Sequence, residues 1–185
     1  STPIKSSAAS DVYKRQMYNI AEQLGVTAYN VFVWSPNSVS MPGTEANAMK
    51  NYYPGDMYVD WLGVSCYPPS LSATYPEDRR YPLTLMQGIK QVSADKPIMI
   101  SEGGYSSTCD HQRWVREWFK LKDEEPRVKV VVWENHENAE NGDRRLQSDP
   151  LALELYKELV QDPYWLDLIP DAVYSEIETR KNNSK

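Results

Sequence analysis

Residues Lys96-Pro-Ile-Met-Ile-Ser-Glu-Gly-Gly104 make the chain's clearest offer of chemistry, an apolar run that ends on a carboxylate and breaks at two glycines. A run of this length, bounded by Pro and Gly, reads as a parallel strand covered on both faces. Counted by twos, Ile98, Ile100 and Glu102 share one face, and Met99 and Ser101 share the other. If the isoleucines point into a barrel, Glu102 stands at its C-terminal mouth, where (β/α)8 enzymes keep their reactive groups. The plainer alternative is a surface Glu that opens a turn.

Other unusual residues sit at comparable places. Trp34 and Asn37 follow one apolar segment, Tyr67 a second, and Trp133 and Asn135 a third. The elements that must position them can be read along the chain. Met17 to Gly25 looks like the end of a helix with Gly at the C′ position. Val26–Trp34, Trp61–Tyr67, the segment from Ile98 and Val128–Trp133 read as strands. Helical patterns cover 81–94, a stretch capped by Asp110 and running to about Lys122, and a stretch opened by Asp149-Pro150. Regular alternation of strand, loop and helix implies a parallel sheet. A doubly wound sheet alternates in the same way. However, no Gly-rich phosphate turn follows any strand, and four successive strands presenting such residues at one end favour a barrel mouth.

Bulk properties narrow the function classes. The 185 residues, 41% apolar, suffice for one modest domain but fall short of the ~250 residues of a complete (β/α)8 barrel. The net charge is −6, and no Lys/Arg run suggests a nucleic-acid or membrane partner. No apolar run approaches the ~20 residues of a membrane span. Thirteen Tyr and six Trp against two Phe suit a site that stacks on sugar faces, although such rings are also ordinary core residues. Cys66 and Cys109 match no metal signature, and free thiols are expected over a single bridge.

Ser6-Ser-Ala-Ala-Ser-Asp-Val-Tyr-Lys-Arg-Gln16 has no apolar periodicity and matches the in-frame translation of a widely used transposase sequencing adapter. Residues 1–16 are therefore expected to be an adapter-derived, disordered arm, with native sequence from Met17 and an upstream part missing. The absence of a signal peptide then says nothing about localisation.

Several of these segments resemble family 26 glycoside hydrolases, the β-mannanase family of the large retaining (β/α)8 glycosidase clan. The resemblance rests on Trp34-Ser-Pro-Asn37, on Tyr52-Tyr-Pro-Gly-Asp56 ahead of Tyr58-Val-Asp60 and Trp61-Leu-Gly63, and on Lys96 to Glu102. The Trp133 strand and the ending from Arg145 to Tyr164 add to it. It covers about residues 17–165, as the C-terminal half of the barrel (strands five to eight), with 166–185 as a tail.

What the resemblance implies is specific. Glu102 would be the nucleophile, and Tyr67 the tyrosine whose hydroxyl holds it. Trp133 would lie under the sugar as a stacking platform, or else cap the core, with Trp34 and Asn135 also lining the substrate site. No cofactor is implied. The substrate would be a β-1,4-mannan-type polysaccharide, or another β-glycan such as glucan or xylan, and a glycan-binding barrel without activity is the remaining reading. Secretion or a cell-surface location would follow. The general acid/base would precede Met17, and Glu134 should point away if Trp133 points in. The chain alone is thus expected to be inactive and, with open sheet edges, prone to self-association.

Overall fold

The computed structural model describes residues 3–68, 80–107, 109–138 and 142–166. Four strands, β1 (Val33–Trp34), β2 (Trp61–Cys66), β3 (Ile98–Gly103) and β4 (Val128–Trp133), form one sheet. They are all parallel, in the order β1-β2-β3-β4. A doubly wound sheet would reverse its order at a switch point. This one runs straight through, as in a barrel wall.

Helix α1 spans Pro3–Gln23, followed by the short α2 (Pro82–Leu85) and α3 (Gln87–Lys90), then α4 (His111–Glu124) and α5 (Pro150–Leu159). A small antiparallel pair, β5 (Glu137–Asn138) and β6 (Gly142–Asp143), lies between β4 and α5. Local chemistry sets several of these boundaries. Asp110 accepts the Arg113 N–H at 2.9 Å, and Asp149 accepts those of Leu151 and Ala152 at 3.0 and 3.1 Å, so both carboxylates act as N-caps. Gly25 ends α1 at φ +68°, a conformation costly for other residues.

The core lies on the outer side of the sheet. Leu62, Val64 and Cys66 of β2, Ile98 and Ile100 of β3, and Val128 of β4 are fully buried, packed with Trp114, Val115, Trp118 and Leu121 of α4. Cys66 and Cys109 are free thiols. On the opposite, inner side, Gly63 makes room for Ser35. A Cβ at Gly63 would come within 2.6 Å of the Ser35 Cβ.

Three expectations change. The strand expected over 26–34 shrinks to Val33–Trp34, because Thr27–Tyr29 forms a 3-10 turn and the Asp60 carboxylate takes the Phe32 N–H at 2.7 Å. The helix expected over 81–94 is two short pieces meeting at Met86. The arm expected to be disordered over 1–16 is instead, from Pro3, the first part of α1. Ala, Lys, Arg and Gln in it favour helix, and no Gly or Pro interrupts it after Pro3. Lys14 reaches the Val33 carbonyl at 2.7 Å, and Arg15 lies over the Tyr58 ring. The C-terminal tail beyond Leu166 lies outside the described residues.

Candidate active site

Glu102 reaches the inner side by a route the alternation count does not foresee. Leu62 pairs with Ile98 and Val64 with Ile100, so both isoleucines share the outer, helix-facing side with Leu62 and Val64. The register then slips, and Ser65 pairs with Glu102, which leaves Ser101 as an extra residue in β3. Such a bulge puts two consecutive residues opposite one and reverses the alternation. Ser101 is hydrogen-bonded to Ser35 on the inner side, and Glu102 sits opposite the inner-facing Ser65. Gly103 is outer again, where an added Cβ would strike Trp118 at 2.5 Å. The isoleucines therefore face the helices rather than the barrel interior, while the carboxylate still faces inward. Its side chain is exposed, and among the described residues it takes part in no hydrogen bond or ion pair.

Tyr67 follows β2. Its ring lies 4.1 Å from the Arg144 guanidinium. Burial first, then Glu134, push the phenol far above its ordinary range. The Glu102 charge adds to this and Arg144 opposes it. Tyr67 therefore keeps its proton and acts as a donor.

Trp133 pairs with Gly103 and so faces outward. Its ring meets Tyr105, Trp118 and Tyr156 edge-on at 5.2, 5.4 and 5.7 Å, and its Nε1 donates to the Arg144 carbonyl at 3.0 Å. Of the two roles open to Trp133, this placement is that of a packing residue. Trp34 pairs with Leu62, is 4% exposed and meets Tyr53 edge-on, so it too belongs to the core. Asn135 is exposed, but its amide is occupied. Its Oδ1 accepts the Leu146 N–H at 2.8 Å, and its Nδ2 donates to Gln147 at 3.2 Å, holding the turn at Leu146–Ser148.

With Trp133 outward, its neighbour Glu134 is inward, where it ion-pairs with Arg144. The sequence reading sets Glu134 aside on the condition that Trp133 points in, and does not single out Arg144. The signal was present in the alternation of Trp133 and Glu134, taken with the wrong starting parity. The structure sets Tyr67 beside Arg144, which pairs with Glu134, puts Glu102 on the same inner side, and packs Trp34 and Trp133 among other rings.

The Tyr52-Tyr-Pro-Gly-Asp56 element is a brace. Tyr53 donates to Asp56 at 2.6 Å, which holds that carboxyl below its usual range. Gly55 supplies φ +108°. The Tyr53 ring meets Trp34 edge-on at 5.1 Å, so the element braces the Trp34 end of the sheet.

Comparison with known proteins places this arrangement. The model for glycosyl hydrolase family 26 matches residues 4–128. Among curated protein sequences, none matches the chain. Similar solved structures include a β-mannanase from Bacteroides ovatus, with 18% identity and a TM-score of 0.56. The catalytic domain of a Bacillus sp. JAMB-750 endo-β-1,4-mannanase gives 18% and 0.58. In both cases 86% of this chain is covered and 45% of the other, so the chain spans less than half the length of either. A modular endo-β-1,4-mannanase from Cellulomonas fimi gives 18% identity and 0.55, covering 84% of this chain and 36% of that one. At such identity the likeness concerns the fold, and the sheet is accordingly that of a partial (β/α)8 barrel. From the family match, which extends over most of its length, the chain belongs to glycosyl hydrolase family 26.

Proposed function

We propose that the chain carries the nucleophile-bearing, C-terminal half of a retaining endo-β-mannanase-like glycosidase. Glu102 attacks the anomeric carbon, and water later releases the sugar from the glycosyl-enzyme ester. The observation that carries this reading is the β3 bulge, which turns an unpaired carboxylate to the inner face beside a protonated phenol. An exposed carboxylate without an ion-pair partner is free to bond to carbon. Tyr67 is one hydrogen-bond donor able to steady it. Trp34 and Trp133 support the wall, and Asn135 holds a loop at its rim.

Mannan as substrate is supported by the nature of the structural neighbours, which are themselves β-mannanases. A polymer of that size does not cross membranes, so an enzyme acting on it works outside the cell. A retaining mechanism also needs a proton donor to the leaving oxygen, typically worth ~10²–10⁴-fold. Among the described residues, the other inward carboxylate is Glu134, which is committed to Arg144. The chain alone is therefore inactive on mannan.

An activated substrate separates the two halves of the chemistry. A dinitrophenyl 2-deoxy-2-fluoro-β-mannoside has a leaving group that needs no protonation, and its fluorine slows breakdown of the ester. The chain is expected to gain one glycosyl adduct, mapped by peptide mass spectrometry to Glu102 and lost in Glu102→Ala, while mannan remains uncut. A folded chain that takes no label, or takes it elsewhere, removes Glu102 as nucleophile.

A further inference from the structure

The bulge that turns Glu102 inward has its own support on the inner face. Ser35 follows β1, and a Cβ added at Gly63 would lie 2.6 Å from its Cβ and 2.8 Å from its Oγ. Its side chain therefore occupies the seat that Gly63 leaves empty. From there its hydroxyl is hydrogen-bonded to that of Ser101 in β3, across the intervening β2. The backbone holds Ser35 in place. The Ser65 N–H donates to the Pro36 carbonyl and the Ser38 N–H to the Ser65 carbonyl, both at 3.0 Å, so the chain after Trp34 continues alongside β2 as far as Asn37. Ser65 is thus paired with Asn37 on one side and with Glu102 on the other.

Regular pairing beyond Val64 and Ile100 would set Ser101, not Glu102, opposite Ser65. Ser65 lies two residues past Gly63, about 6.6 Å along the strand. A Ser101 side chain carried that far would part from the Ser35 hydroxyl, which is seated at Gly63. Bonded to it, Ser101 is kept short of Ser65, and Glu102 takes the place opposite. In the regular register Glu102 would alternate to the side of Ile98 and Ile100, against the helices. We propose that Ser35 is a positioning residue that, through Ser101, holds the β3 bulge and with it the inward direction of Glu102. This deepens the glycosidase reading and rests on it for its catalytic meaning. Gly63 belongs to the same device, because a side chain there would displace the Ser35 hydroxyl.

Two readouts on the full chain test this, the rate at which the fluoromannoside labels Glu102 and the cross-strand backbone NOEs of Ser65. Ser35 is exposed and Ser101 half-buried, so alanine at either position leaves the core intact. Ser35→Ala and Ser101→Ala are each expected to slow labelling about fivefold, the worth of one hydrogen bond, with no further loss in the double variant. Ser101→Thr keeps the hydroxyl and is expected to label within about twofold of the parent, which loss of packing alone would not allow. In both alanine variants the NOEs between Ser65 and Glu102 should weaken and those between Ser65 and Ser101 should appear. Losses that multiply in the double variant, a threonine variant as slow as the alanine one, or a pairing that stays with Glu102 in both alanine variants would each overturn the proposal. The last outcome would assign the bulge to Gly103, whose seat against Trp118 leaves no room for a side chain. The NOEs require no sugar, so a parent chain that takes no label removes the glycosidase reading while the pairing still decides this one.

Discussion

Trp133 and Glu134 are neighbours on one strand end, and a strand can turn only one of them inward. The structure turns Glu134 in, and Trp133 becomes part of an aromatic stack with Tyr105, Trp118 and Tyr156. A packing residue and a sugar platform respond differently to truncation. Trp133→Ala is expected to cost about 3 kcal/mol in urea unfolding, because a ring's contacts and an indole hydrogen bond are lost. A platform would instead leave unfolding nearly unchanged and weaken glycan binding. Glu102 illustrates the limit of reading such positions from sequence. Period-2 counting from Ile98 puts Glu102 on the inner side only if the isoleucines are there too, and they are not. Two departures cancel, the starting parity and the bulge at Ser101. The bulge comes from pairing with β2, and pairing with a distant strand leaves no mark on the local pattern.

Elements whose boundaries depend on neighbouring residues were legible, and those that depend on distant ones were not. Asp110 and Asp149 start their helices as their spacing predicts, since a cap needs only a carboxylate and the next two or three N–H groups. The segment from Val26 has strand-forming residues, but a side chain from Asp60 takes its backbone donor at Phe32, and no propensity records that. Asp149 also has a longer reach. Its Oδ2 meets the His111 Nδ1 at 3.0 Å, and His111 stacks on Tyr105 at 3.9 Å, so the cap ties α5 to the loop that follows Glu102. The Ala152 N–H chiefly, then His111, hold the Asp149 carboxyl below its usual range, against the opposing effect of burial. A depressed folded value means that this stabilisation is complete above the unfolded value, near ~4, and is lost as pH falls through the folded one. Asp149→Ala is expected to cost about 1 kcal/mol at neutral pH, and Asp149→Asn less, because Asn also caps. Unfolding curves at neutral and acid pH should converge for parent and Asp149→Asn as the carboxyl protonates. A constant difference between them would assign the effect to the cap alone.

At the scale of the molecule, the sheet is finished on one side only. Its outer face is covered by helices, with six strand residues fully buried, whereas on the inner face Val132 is 42% exposed. Among the described residues, β1 pairs only with β2 and β4 only with β3, so neither outer edge of the sheet is paired with a further strand. Edges of this kind recruit other strands, and natural sheets suppress the tendency with charges, short strands or a covering segment. The two edges differ in this respect. β1 has two residues and lies beside Lys14 of α1, whereas β4 has six and is rich in valine. We propose that the chain self-associates through the β4 side of the sheet. Sedimentation velocity over a hundredfold concentration range is expected to show an average mass that rises with concentration. Val132→Lys places a charge on the exposed inner side of that strand, where burying it against a second sheet would be costly without a partner. It should shift the chain toward monomer while leaving the outer core, and hence the unfolding curve, nearly unchanged. A parent chain that sediments as a monomer throughout would mean that its edges are already satisfied, and Val132→Lys would then have nothing to disrupt.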